Sequence, residues 1–237
     1  MKGNDIMKKI VALVIAVGVF SNTAFAASFV DIENHWAKDY IITLADSGVV
    51  NGVTDTLYMP DDNVTRAQYL KMIMETVGLE QKPVRVGECL DADINDWYAG
   101  YLQSALDCGL VPKDMVQNYS EKVEYTVDDN GNATSSKVIY TGEFNGQAPI
   151  TREEMAVLTE YMYQYTRTIL TNPKDVEVKK TSFTDNEEIS EWAKASIDRA
   201  VADGFIEGME DNTFKPKDTA TRAQAATIIV RVLEKTK

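Results

Sequence analysis

Val64-Thr65-Arg66-Ala67-Gln68 and Ala220-Thr221-Arg222-Ala223-Gln224 are nearly the same pentapeptide, met twice at a separation of 156 residues. Each precedes an apolar series at helical spacing, Tyr69, Ile73 and Val77 after the first and Ala225, Ile229 and Leu233 after the second. The threonine and the glutamine three positions on fit a capping box, in which each side chain satisfies an orphan backbone donor of the other residue. Thr151-Arg152-Glu153-Glu154 is a third version, followed by Met155, Leu158 and Met162. Three helix starts are therefore marked by the same local chemistry.

Each start has a first helix upstream, in a register set by Trp36, Trp97 and Trp192. At +5 from the tryptophan stand Ile41, Leu102 and Ile197, at +8 Leu44, Ala105 and Ala200, and at +9 Ala45, Leu106 and Val201, which is one apolar stripe seen three times. Gly48, Gly109 and Gly204 follow at +12, the residue type that closes a helix in the left-handed region. The first and third copies then agree through Gly52 and Gly208, Tyr58 and Phe214, and Pro60 and Pro216. The middle copy has Lys113 and Gly146 where a glycine and a proline are expected, and carries 25 extra residues between Val111 and Phe144. A single helix-loop-helix unit cannot bury its own stripe, so three copies are expected to pack around a shared core.

Phe29-x-Asp31, His35-Trp36, Gly48-Val49-Val50-x-Gly52, Tyr58-x-Pro60 and Val64-Thr65-Arg66-Ala67-Gln68 resemble the S-layer homology (SLH) repeat. So do Phe183-x-Asp185, Trp192, Gly204-Phe205-Ile206-x-Gly208, Phe214-x-Pro216 and Ala220-Thr221-Arg222-Ala223-Gln224, while the middle copy has Cys89-Leu90-Asp91 in place of Phe-x-Asp. The resemblance implies a mainly α fold: three SLH repeats in a pseudo-threefold spindle with prongs, at 27–81, 88–171 and 178–237. It also implies binding of secondary cell-wall polysaccharide, often pyruvylated, in grooves between repeats. The glycan-binding role of the family's arginine carries over onto Arg66, Arg152 and Arg222.

The residues give that role a physical basis. An arginine just after an N-cap opposes the helix dipole, at a cost of about 0.3 to 1 kcal/mol. Its recurrence points to an anion, since free backbone donors beside a bidentate fork suit a carboxylate such as ketal-linked pyruvate. Asp31 and Asp185 also count among the glycan-binding candidates, the alternative being that they pair with the arginines within the protein. Gly52 and Gly208 either let backbone approach a sugar or simply form a tight turn. Trp36 and Trp192 offer stacking platforms, although tryptophans at a helix start among apolar neighbours, Trp97 included, read first as core. On the loss of the second glycine and the proline, Arg152 is expected to matter less than Arg66 and Arg222.

Composition restricts the alternatives. The chain has 237 residues, 44% hydrophobic and 26% charged, which suits an ordered fold. Its 24 basic against 37 acidic residues give −13, which disfavours a nucleic-acid footprint. Two cysteines and one histidine cannot build a Cys/His zinc site, and His35 without a partner nucleophile motif reads as structural or capping. No cofactor is expected. Lys8-Lys9, the apolar run Ile10 to Phe20 and Ala24-Phe25-Ala26 read as a signal peptide over 1–26, cleaved before Ala27. The secreted chain then carries 21 basic and 36 acidic residues, a charge of −15.

Within the insertion at about 112–143, Val123-Glu124-Tyr125-Thr126-Val127 and Lys137-Val138-Ile139-Tyr140-Thr141 alternate as strands do around the turn Asp129-Asn130-Gly131-Asn132. A β-hairpin flap is expected, outside the core and removable from Asn118 to Thr141. Asp128, Asn130 and Asn132 imitate a calcium loop but lack its sixth-position glycine and its terminal glutamate. Cys89 and Cys108 flank a helix, and the sequence leaves open whether they bridge. Together these readings describe a non-catalytic cell-surface protein that binds anionic wall polysaccharide non-covalently. The alternative is a structural or interaction protein of the surface layer whose repeat-two insertion recruits a protein partner.

Overall fold

The computed structural model describes residues 29–84, 89–170, 178 and 180–236; the export segment expected over 1–26 lies outside them. Among the described residues, regular structure consists of six α-helices and one two-stranded antiparallel sheet, with three short 3-10 turns. In chain order the helices are α1 (Lys38–Asp46), α2 (Arg66–Thr76), α3 (Ala99–Asp107), α4 (Arg152–Leu170), α5 (Glu191–Ala202) and α6 (Arg222–Lys235). The strands β1 (Gln117–Val127) and β2 (Ala133–Glu143) stand between α3 and α4.

The local signals act where they were read. Thr65 accepts from the Gln68 N–H while the Gln68 side chain accepts from the Thr65 N–H, and the same reciprocal pair forms at Thr221 and Gln224. Thr151 and Glu154 exchange the equivalent bonds at 3.0 and 3.4 Å. Gly48, Gly109 and Gly204 close α1, α3 and α5 at φ of 75°, 74° and 78°, where a Cβ would be strained. The next residue in each case bonds back to the carbonyl of Leu44, Ala105 or Ala200, which satisfies the helix end.

The three helix starts are tied to one another in a closed cycle. The Val64 N–H donates to the Ala220 carbonyl, Ala220 to Ile150, and Ile150 back to Val64. A second cycle runs outside it: Ala67 donates to Gly146, Glu153 to Pro216, and Ala223 to Pro60. Ala67, Val64, Ile150, Ala220 and Ala223 are fully buried, so these N–H groups have no access to water and their bonds are obligatory. The side chains Tyr58, Phe144 and Phe214 complete the core beneath the same loops.

The divergent middle copy is compensated in pairs. A Cβ on Gly52 would lie 2.5 Å from the Phe29 ring, and one on Gly208 2.5 Å from the Phe183 ring. Where the phenylalanine is replaced by the smaller Cys89, Lys113 stands in place of that glycine. Tyr98 replaces the alanine that follows the other tryptophans, and a Cβ on Gly146 would meet its ring at 2.5 Å, which excludes the expected proline. Gly52 and Gly208 thus make room for rings of the protein itself.

Two expectations are corrected. The hairpin strands run to 11 residues each, and its base belongs to the core: Tyr140 is buried, bonds Asp107 through its hydroxyl at 3.0 Å, and accepts from the Leu90 N–H. A cut from Asn118 to Thr141 would remove it. Trp36 and Trp97 are 61% and 46% exposed rather than core, because the apolar face of each first helix begins one residue later, at buried Ala37 and Tyr98. Cys89 is a buried free thiol and Cys108 an exposed one.

Candidate functional site

Each arginine that follows a helix N-cap leaves its own unit and lies over an aromatic ring in the loop of another. Arg222 sits 4.3 Å from the Tyr58 ring centre, Arg66 4.8 Å from Phe144 and Arg152 5.2 Å from Phe214. Such stacking suits a planar guanidinium, and burial of the rings strengthens it. Burial also pushes the Tyr58 hydroxyl up to about 12, with Arg222 pulling the other way.

The second layer of contacts separates the three. Arg222 donates from Nε to the Tyr58 carbonyl at 2.9 Å and from Nη2 to Asn51 at 3.0 Å. Arg152 repeats this with Phe214 at 2.9 Å and Glu207 at 3.3 Å. Arg66 instead forms an ion pair with Glu154 and donates to the Met115 carbonyl at 3.2 Å, leaving its buried Nε unpartnered. Glu154 stands where the other two copies have Gln68 and Gln224. Among the described residues, Arg152 and Arg222 have no carboxylate at ion-pair distance, and their direct contacts are backbone carbonyls and an aromatic ring.

Arg152 is also the most confined of these two, at 7% exposed. Burial pushes its guanidinium below the ordinary range, and Asp218 and Asp185 oppose that shift. It lines a groove of ≈ 130 Å³ together with Trp36, Glu207, Gln224, Ile228 and Arg231. Arg231 holds the rim, donating to the Phe205 carbonyl at 3.3 Å with Glu207 3.7 Å away. An indole wall and two guanidinium groups in one groove can hold the apolar face of a sugar and a carboxylate at once.

Asp31 and Asp185 do not meet the arginines. Asp31 accepts from the N–H groups of Tyr58 and Met59, Asp185 from Phe214 and Lys215, and Asp91 from Phe144 and Asn145, all within 3.1 Å. The second donor of each pair, Met59, Lys215 or Asn145, holds φ of 57°, 55° or 54°, a conformation that costs an ordinary residue free energy and that the carboxylate offsets. These aspartates therefore shape the loops whose carbonyls receive Arg222 and Arg152 and whose Phe144 ring lies under Arg66. Trp192 is half-buried against the core. His35 accepts the Ala37 N–H through Nδ1 at 3.1 Å, which places its proton on Nε2 toward Asp61 at 3.3 Å, a capping role.

Arg231 escaped the sequence reading because Glu75 and Tyr161 occupy its position in the other copies, so no repeat points to it. In the sequence Glu154 reads only as a cap, and its second role depends on a contact 88 residues away.

Among known proteins, the model of the S-layer homology domain family matches residues 28–70 and 182–226, the first and last of the three copies. The chain is 35% identical over 89% of its length to Exoglucanase XynX of Acetivibrio thermocellus, and 34% over 88% to Amylopullulanase of Thermoanaerobacterium thermosulfurigenes. It spans only 16% and 10% of those proteins. An S-layer protein of Bacillus thuringiensis subsp. finitimus matches 94% of the chain at 24% identity, over 24% of its own length.

Proposed function

This chain is an S-layer homology protein associated with the cell surface, and from that premise we propose that it acts as a non-catalytic anchor on anionic wall polysaccharide. Three SLH repeats in a pseudo-threefold arrangement supply the grooves. The two closed cycles of hydrogen bonds through Val64, Ala220 and Ile150 and through Ala67, Glu153 and Ala223 support that arrangement. The glucanase and pullulanase names of the relatives belong to proteins of which this chain spans a small part.

The observation that carries the reading is Arg152, buried beside exposed Trp36 and Arg231 with no carboxylate of its own. A pyruvyl or uronic carboxylate entering there replaces weak carbonyl contacts by a charge-assisted pair, while the sugar ring rests on the indole. Arg222 is the second candidate. Arg66 ranks last, because Glu154 already fills the place of the ligand's carboxylate.

Titration of isolated wall polymer by calorimetry tests the order. A charge-assisted bond of about 1.5 to 3 kcal/mol corresponds to a loss of roughly tenfold to a hundredfold in affinity for Arg152→Ala. Arg231→Ala is expected to act in the same direction, and Arg66→Ala to leave the affinity within about threefold, below ~0.7 kcal/mol. An unchanged affinity in Arg152→Ala would place the binding site elsewhere.

A further inference from the structure

Beyond the anionic groove, a second cavity lies where the hairpin leaves the helical body, and its chemistry is different. It has ≈ 400 Å³ and is lined by Val111 and Pro112 from the loop after α3, by Tyr119 and Tyr140 from the hairpin, and by Tyr161 from α4. That volume falls in the range of small-molecule sites. Tyr119 and Tyr140 lie 6.4 Å apart, tilted by 36°. Their hydroxyls are fixed, Tyr119 on Glu121 at 2.7 Å and Tyr140 on Asp107 at 3.0 Å.

The charges at the rim cancel or are negative. Lys113 pairs with Glu121 at 2.9 Å and lies 5.4 Å from the Tyr119 ring centre, and Asp114 adds a carboxylate. Arg66, the arginine that belongs to this unit's loop, is withdrawn into its pair with Glu154. Among the described residues that line it, an anion therefore meets no unpaired cation and at least one surplus negative charge. What remains is aromatic surface ringed by hydrogen-bonding carboxylates and an ammonium, the combination that receives the apolar faces and hydroxyls of an uncharged sugar.

The surface continues up the hairpin. Glu121 pairs with Tyr140, Val123 with Val138 and Tyr125 with Ser136, so Val123, Tyr125 and Val138 share the face of Tyr140 by strand alternation. All three are exposed, Tyr125 by 65%. From the Tyr140 level to that of Tyr125 the strand rises ~13 Å. We propose that this cavity and the apolar face above it form a binding site for a neutral oligosaccharide, separate from the anionic groove.

The test uses the secreted chain titrated by calorimetry with chitotriose, maltotriose and the monosaccharide N-acetylglucosamine. One trisaccharide is expected to bind, with affinity reduced about tenfold or more in Tyr161→Ala and in Tyr119→Ala. Tyr125→Ser should weaken the trisaccharide and leave the monosaccharide unchanged. Arg152→Ala should have no effect on either, so failure here is distinguishable from failure of the anionic groove. Should the tyrosine variants lose thermal stability, Glu121→Gln together with Lys113→Ala gives the same readout from the rim. The proposal is overturned if neither trisaccharide binds at millimolar concentration, or if binding survives these substitutions. Capture of a surface protein by the hairpin without any sugar binding would overturn it equally.

Discussion

Asp31 shows how one side chain sets a site it never touches. Burial disfavours its charge, but the N–H groups of Tyr58 and Met59, with Arg222 beyond them, more than compensate, and the carboxyl is held below the usual aspartate range. A folded-state value below the unfolded one of about 3.9 means that Asp31 contributes stability above that pH. The contribution is lost as the pH falls through the folded value. Asp31→Asn is therefore expected to lower stability near neutrality by about 1 to 3 kcal/mol, the cost of weakening two charge-assisted bonds. Its melting temperature should also fall less steeply than that of the wild type on acidification below about pH 4. Melts followed by circular dichroism across the acid range check both. Arg222 binding should weaken as well, because the Tyr58 carbonyl that holds it moves when the loop relaxes.

At the scale of elements, the hairpin is two structures in one ribbon. Isolated two-stranded ribbons are marginal in water, and the exposed half, beyond the pair Glu121 and Tyr140, has little else to hold it. The base is different, since Tyr140, Met115 and Val116 are buried and Leu90 is bonded to it. Deleting Lys122 to Ile139 and closing with a tight turn is expected to change the melting temperature little. Extending the cut to Asn118 and Thr141 empties a tyrosine site, and aromatic-to-alanine losses in cores run at about 3 to 5 kcal/mol. Comparing the two deletions in urea separates the ribbon from its foundation. The long cut was attractive from sequence alone because the repeat resumes in register at Phe144, and register carries no information on which of the intervening residues pack.

The whole molecule is closed by contacts that join its first and last units. Val64 donates to Ala220 and Arg222 reaches Asn51, so the cycle of hydrogen bonds has no free end. A chain ending at Leu170 would expose the Val64 N–H and the Tyr58 ring together. Cooperative unfolding should then be lost, as read by a broadened thermal transition and the loss of amide protection in α2. Net charge acts at this scale too. A chain of −13 approaching a polyanion is repelled over a Debye length that shrinks from about 30 Å at 0.01 M salt to about 8 Å at 0.15 M. Association with wall polymer is therefore expected to speed up as salt rises over that range. A rate that falls steeply instead, as it does for a basic protein on a polyanion, would count against the proposed groove.

The sequence by itself determined the parts whose physics is local. Threonine caps at 65, 151 and 221, glycine closures at 48, 109 and 204, and the alternating strands of the hairpin are each written within a few residues. Their hydrogen bonds form between near neighbours whatever the rest of the chain does. Repetition then made three weak local signals into one strong one. What only the tertiary structure decided is which arginine has a carboxylate partner. Arg66 and Arg152 look alike in their own pentapeptides, and they differ because Glu154 arrives beside one of them while Gln224 lines the groove of the other. The exposure of Trp36, the room that Gly146 gives to Tyr98, and the place of Arg231 at the groove rim follow from the same cause. Each depends on residues far apart in the chain, and the groove joins Trp36, Arg152 and Arg231 from three different units, so none can be read from a short stretch alone.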